Sequence, residues 1–275
     1  MAIGGKTIFD TDAHYVETLY DIVDYIDDDD PWKLKFEYGS TANRSVPISF
    51  WPSLSRPDGF NYPSIKRRDV DFNTKEGVVQ LMEEMSFDKI LLLSEQILTF
   101  AMLEEDKRQT KFAEAYIQYM LDKIADADEG MYMSIPVPYN DPVKAAELID
   151  DYASEKAIIG ACVLTARIEP PMGHRKYDPI YDACQRADLP VLYHGGSATL
   201  DNFGWLSGFT TIMETHALGF LFDNMTTIAN VVSQGVPEKF PKLDFVFQEA
   251  SLENSDIIEV NWYYNVDSWE NYCQY

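Results

Sequence analysis

Cysteine and histidine are scarce in this 275-residue chain: three of the first, at Cys162, Cys184 and Cys273, and four of the second. An odd cysteine count with no C-x-x-C pair excludes a disulfide framework and a structural zinc knuckle. Cys162, within the apolar run "IIGACVL", reads as a small core residue. No segment approaches the roughly 18 apolar residues of a membrane span, and "MAIGGKTIFD" has no apolar stretch of the signal-peptide kind. Positive charge is also short. Lysine and arginine number 22 against 46 acidic residues, for a formal net charge of -24 and a pI near 4.3. Such a surface repels nucleic acid and anionic membranes. Its carboxylates are spread along the chain, and the densest run, Asp27 to Asp30, is short. That distribution fits an acidic, halophilic proteome and a salt-adapted cytoplasm better than a docking site for a basic partner.

What the chain does have is hydrophobic content, 46% with 13% aromatics, enough for one large domain over residues 1–275. Short apolar runs of the buried-parallel-strand kind alternate with amphipathic helical stretches. Strands are expected at Thr7 to Asp12, Lys89 to Leu93, Met131 to Pro136, Ile158 to Leu164, Leu189 to His194 and Lys242 to Glu249. Helices are expected near Thr74 to Met85, Asp106 to Ala127, after an Asp141 N-cap with Pro142 at N1, from Asp178–Pro179, and from about Asn224 to Gln234. The alternation predicts an α/β fold with a parallel sheet. No G-x-G-x-x-G follows the first strand, so a dinucleotide-binding sheet has no support, and the same lack disfavours a phosphate-binding domain. Polar residues gather instead at strand ends, which in a (β/α)8 barrel share one mouth. A TIM-barrel-like fold is therefore expected.

Residues 31–73 interrupt the alternation with prolines and aromatics and no period; they are read as a cap or lid over the pocket, after strand 1.

The chemistry starts in "TDAHYVE". In a strand, Asp12 and His14 share a face. His194 ends "LPVLYH" before two glycines. One carboxylate and two imidazoles suit a divalent ion with an open position for water, zinc first, with manganese or iron as alternatives. Glu249 closes the apolar strand "FVFQE" and is the catalytic candidate, as general base on bound water or proton donor to a carbon, with a further metal ligand as the alternative. Arg67, beside Arg68 in "KRRD", has the fork geometry for a substrate carboxylate. His174 and His216 are further candidates for lining the pocket.

In order along residues 7–255, "D-x-D-x-H", "DPIYDAC…LPVLYHGG" and "GVPEKFPKLDFVFQEA" resemble the amidohydrolase-related metal-dependent hydrolases and decarboxylases. The aminocarboxymuconate-semialdehyde and resorcylate decarboxylases are among them, and "G-V-x-x-x-F-P-x-L" is the most specific piece. The resemblance implies a (β/α)8 barrel with one divalent metal, its first-strand pair at Asp12 and His14 and its strand-five ligand at His194. Where many of these decarboxylases carry a histidine before two glycines, this chain has Glu249-Ala250-Ser251. The family's last ligand, an aspartate ending strand eight, has no counterpart in the atypical tail 250–275, although Asp256 and Asp267 are acidic residues there. About six or seven strands are expected, so the barrel reads as incomplete at the C-terminus.

The implied activity is hydrolysis of an amide or ester, or decarboxylation of a small carboxylic acid, on a carboxylate-bearing small molecule. The alternative is an inactive truncated barrel serving as a binding or assembly subunit or as half of a split enzyme. Such a chain would need a homo-oligomer or a complementing C-terminal chain to cover its open edges.

Overall fold

The computed structural model describes residues 7–15, 17, 19–33, 74–94, 97, 106–165, 168–196 and 212–248. Six strands form one sheet: β1 (Phe9–Tyr15), β2 (Lys89–Ser94), β3 (Met131–Pro136), β4 (Ile158–Leu164), β5 (Val191–His194) and β6 (Phe245–Phe247). All five pairings are parallel, and the strands lie in chain order with no reversal. That order separates a barrel-type sheet from a doubly wound one, in which the order turns back at a switch point. Right-handed crossovers taken always in the same direction put the connecting helices on one side of such a sheet.

The sheet is strongly curled. In a flat sheet, β1 and β5 would stand about 19 Å apart, four strand spacings of about 4.8 Å. Yet His194 Nε2 on β5 lies 3.2 Å from Asp12 Oδ1 on β1. Gln248, just past β6, donates to the Thr11 carbonyl of β1 at 2.5 Å. The described strands are thus a half-barrel of the TIM type, with its strand C-termini at one mouth.

The helices are α1 (Leu19–Val23), α2 (Lys75–Met85), α3 (Asp106–Lys123), α4 (Pro142–Tyr152), α5 (Asp178–Ala187), α6 (Ile212–Ser233) and α7 (Val236–Lys239). Local chemistry sets their starts. The Thr74 hydroxyl accepts the Gly77 N–H at 3.1 Å, and the Asp141 carboxylate accepts the Lys144 N–H at 3.2 Å with Pro142 opening α4. The predicted stripe on α3 is the buried one: Phe112, Ala115, Tyr116, Tyr119 and Met120 all face the core. Tyr119 also meets Tyr15 hydroxyl to hydroxyl at 2.8 Å, tying α3 to β1. Cys162 and Cys184 are buried, and burial pushes both thiols up, Cys184 to about 12. They are core residues, as the sequence suggests for Cys162.

β3 and β4 match the expected strands at both ends. Other elements differ: β2 runs on to Ser94, β5 starts at Val191 and not Leu189, and β6 is confined to Phe245–Phe247 within the expected Lys242 to Glu249. β1 runs to Tyr15, so Asp12 and His14 lie inside the strand, not where it becomes a loop. α5 starts at Asp178 with Pro179 next, as expected, with Tyr177 as its cap residue and no side-chain cap bond. α6 starts at Ile212, twelve residues before the expected start, because "ETHALGFLFDN" is too evenly apolar to show a stripe. Most of the proposed cap (34–73) and the tail from Glu249 onward lie outside the described residues. No described helix is long and apolar enough to cross a membrane.

Candidate metal centre

The centre is built on β1 and β5. Pairing between β1 and β2 slips between Asp10 and Ala13: Asp10 faces Ile90 and Ala13 faces Leu92, leaving Thr11 and Asp12 opposite a single residue. Such a bulge re-aims side chains, and bulges gather at barrel rims and next to active sites. The Asp10 carboxylate accepts the Asp12 N–H at 3.1 Å and fixes the bulge. Burial pushes the Asp10 carboxyl above the ordinary carboxylate range. Across the mouth, His194 closes β5 with its side chain only 2% exposed. Its carbonyl is held by both the N–H (2.8 Å) and the hydroxyl (3.2 Å) of Thr165, the residue after β4.

Asp12, His14 and His194 each offer one ligand atom, and these atoms lie within 4.8 Å of one another. Asp12 Oδ1 is 3.2 Å from His194 Nε2 and 3.9 Å from His14 Nε2. The two imidazoles meet edge to face, with centroids 4.9 Å apart at 74°. Ligand atoms around a tetrahedral zinc stand about 3.3 Å apart, from bonds of about 2.0–2.1 Å, so small adjustments would seat an ion.

His194 supplies a second argument. Its Nδ1 lies 2.7 Å from the Gly195 carbonyl, which can only accept, so Nδ1 carries the proton. In a neutral ring Nε2 then presents its lone pair to the Asp12 carboxylate. Two acceptors facing each other at 3.2 Å call for a cation, either a second proton on the ring or a metal ion between them. The donor set fits a divalent ion with borderline or hard preferences, such as zinc or manganese. Burial works against ionisation of Asp12. The charges of His194 and His14, with the His194 hydrogen bond, outweigh it and hold the carboxyl below its ordinary range. The Asp12 carboxylate is therefore ionised at neutral pH.

Sequence reasoning brought these three residues together correctly in space. It did not find Asp10, Thr165 or Gln248, which hold them. Asp10 left a signal in the first position of D-x-D-x-H; the other two left none. His174 sits elsewhere, exposed, with Nδ1 accepting the Lys176 N–H at 3.1 Å to cap a surface turn. The backbone of His216 lies in α6. Its side chain, Arg67 and Glu249 lie outside the described residues.

Comparison with known proteins agrees with this geometry. The family profile described as "Amidohydrolase" matches residues 94–257. Among solved structures, an amidohydrolase from Mycobacterium avium subsp. paratuberculosis K-10 superposes with a TM-score of 0.70 at 18% identity, covering 92% of this chain and 75% of its own. A dihydroxybenzoic acid decarboxylase from Polaromonas sp. JS666, with bound manganese and 2-nitroresorcinol, gives 0.54 at 16% identity over 88% of this chain. A 5-carboxyvanillate decarboxylase from Novosphingobium aromaticivorans DSM 12444, complexed with manganese and 4-hydroxy-3-methoxy-5-nitrobenzoic acid, gives 0.57 at 17% over the same share. The chain spans 65% of each decarboxylase. No curated protein matches it in sequence. With more than half of its residues inside the family profile, the chain belongs to the amidohydrolase family of metal-dependent hydrolases and lyases.

Proposed function

We propose that the protein binds one divalent ion through Asp12, His14 and His194, manganese or zinc, and uses it on a small carboxylate-bearing substrate, by decarboxylation or by hydrolysis of an amide or ester. The observation that carries the reading is the convergence of one ionised carboxylate and two imidazoles at the strand C-termini, with the His194 tautomer fixed by Gly195. A bound ion there supplies Lewis acidity toward a carbonyl or carboxylate oxygen and makes water more acidic.

The chain's own groups do the rest. Thr165 holds the His194 backbone through its carbonyl, and the Gly195 carbonyl holds its ring at Nδ1. Glu249, one residue beyond Gln248, would carry the proton to or from the reacting carbon or leaving group. Arg67 and His216 would hold the substrate carboxylate, with the 31–73 segment as cap. His174 is occupied in capping a surface turn, and the reading does not need it. The manganese-bound decarboxylases among the structural neighbours make hydroxylated aromatic acids the first substrates to try. The acidic composition, 46 acidic against 22 basic residues, supports a salt-rich cytoplasm as its setting.

The test is metal analysis of protein purified and reconstituted with Mn2+ or Zn2+, followed by assays for CO2 release from aromatic acids and for amide and ester hydrolysis. Stoichiometric metal that is lost in His194→Ala is expected. Folded wild-type protein that takes up no metal overturns the reading.

A further inference from the structure

The bulge that carries Asp12 is gripped from the far edge of the half-barrel. The Gln248 amide nitrogen donates to the Thr11 carbonyl at 2.5 Å, joining positions 237 residues apart. A carbonyl can only accept, so the amide cannot flip. That orientation leaves Gln248 Oε1 buried with no hydrogen-bond partner among the described residues, on a residue only 6% exposed. A buried amide oxygen without a donor is costly, so packing alone would favour an apolar residue here. The bond to Thr11 is what the glutamine supplies. Its own backbone is fixed at both ends, with the N–H donating to the Tyr193 carbonyl at 2.8 Å. The carbonyl accepts from Asn224 Nδ2 at 3.1 Å.

The Thr11 carbonyl and the Asp12 N–H belong to one planar peptide unit. Gln248 holds its oxygen and the Asp10 carboxylate holds its N–H at 3.1 Å. Rotation of that plane would swing the Asp12 carboxylate away from His194. We infer that Gln248 is a positioning residue for the metal centre, acting through the Thr11–Asp12 peptide, an inference that rests on the metal-site reading above.

Gln248→Met tests it. Methionine keeps the unbranched length, removes the donor to Thr11 and also removes the orphaned oxygen, so the fold is expected to survive. Mn2+ and Zn2+ affinities are measured by calorimetry for wild type, Gln248→Met, Asp12→Ala and the double variant, with thermal unfolding of each metal-free protein. The expected result is a roughly 10- to 100-fold weaker affinity in Gln248→Met, the range found when groups behind a metal ligand are removed. Metal-free unfolding should stay close to wild type, and Gln248→Met should cause no further loss once Asp12 is alanine. Wild-type affinity in Gln248→Met overturns the assignment. So does an equal loss in both backgrounds, which would make Gln248 a general brace of the mouth. Should Gln248→Met fail to fold, Gln248→Asn, which keeps the amide but is one methylene shorter, is expected to show the same loss; failure of both to fold makes Gln248 a folding residue and overturns the assignment. A wild-type protein that binds neither ion sinks the metal-site reading itself, and is recognised before any variant is made.

Discussion

Asp12→Asn separates a metal ligand from a structural carboxylate, because it keeps the size of the side chain and one oxygen while removing the charge. Asp12 Oδ1 faces both imidazoles, at 3.2 and 3.9 Å, so on the proposed reading its loss removes one of three protein ligands. Structural zinc sites with four ligands bind with about 10–16 kcal/mol, or roughly 2.5–4 kcal/mol per ligand. That corresponds to about 100- to 1,000-fold in affinity. The retained amide oxygen puts Asp12→Asn toward the lower end, about 100-fold. Metal at 100 times the wild-type Kd stabilises the wild type by about 2.7 kcal/mol, which raises Tm by about 5 °C in a chain of this size. At the same metal concentration the variant sits near its own Kd. Its gain is about 0.4 kcal/mol, under about 1 °C. Paired thermal scans with and without Mn2+ or Zn2+ read this difference directly. A variant whose metal-induced rise equals that of the wild type would refute the assignment of Asp12 as a ligand.

Metal affinity should weaken steeply on acidification, by up to about 100-fold per pH unit below the imidazole range, because two ring nitrogens must shed protons to bind; calorimetry at several pH values checks it. In the metal-free protein the Asp12 carboxyl is depressed on folding. Its contribution to stability is therefore present above about pH 4 and lost as the pH falls through its lowered range, so wild type and Asp12→Asn should converge in urea unfolding at acid pH. Gly173→Ala is expected to cost about 1–3 kcal/mol, because a Cβ there would stand 2.6 Å from Asn230 Oδ1 and 2.7 Å from the Asn230 carbonyl; urea midpoints unchanged from wild type would refute this packing argument. Removing the α4 cap with Asp141→Ala should cost about 1 kcal/mol by the same measurement. A net charge of -24 should make Tm rise between 0.1 and 1 M KCl, as the screening length contracts from about 10 Å to about 3 Å.

The legible parts of this molecule are the local ones. β3 and β4 are legible because buried parallel strands read as short, continuous apolar runs, and Gly130 punctuates the chain just before β3. Asp141 and Pro142 announced α4 because a cap acts within four residues. Asp12 and His14 could be paired because alternation along a strand needs only two positions, and the shared face survived even though the strand bulges at Asp12. His194 joined them through the barrel hypothesis, which supplied the shared mouth that no local pattern contains. What stayed hidden is whatever spans the curl. Thr165 holds the His194 carbonyl across 29 residues, and Gln248 holds Thr11 across 237. Neither residue type is unusual where it stands: a threonine after a strand and a glutamine before a glutamate carry no periodic signal.

The same division explains why the ligands and their supports differ in kind. A ligand must present an imidazole or a carboxylate, so its chemistry marks it in the sequence. A support need only offer one donor or acceptor at the right place, and many residue types can do that. Asp10 is the instructive intermediate. It was visible within D-x-D-x-H, yet its work is on the Asp12 N–H at 3.1 Å. Gln248 completes that work from the opposite edge, on the oxygen of the same peptide. The curl of the sheet therefore does more than gather Asp12, His14 and His194 at one mouth. It lets Gln248, just past β6, grip the backbone of β1 beside Asp12, so the geometry of Asp12 depends on closure of the half-barrel as well as on its own strand.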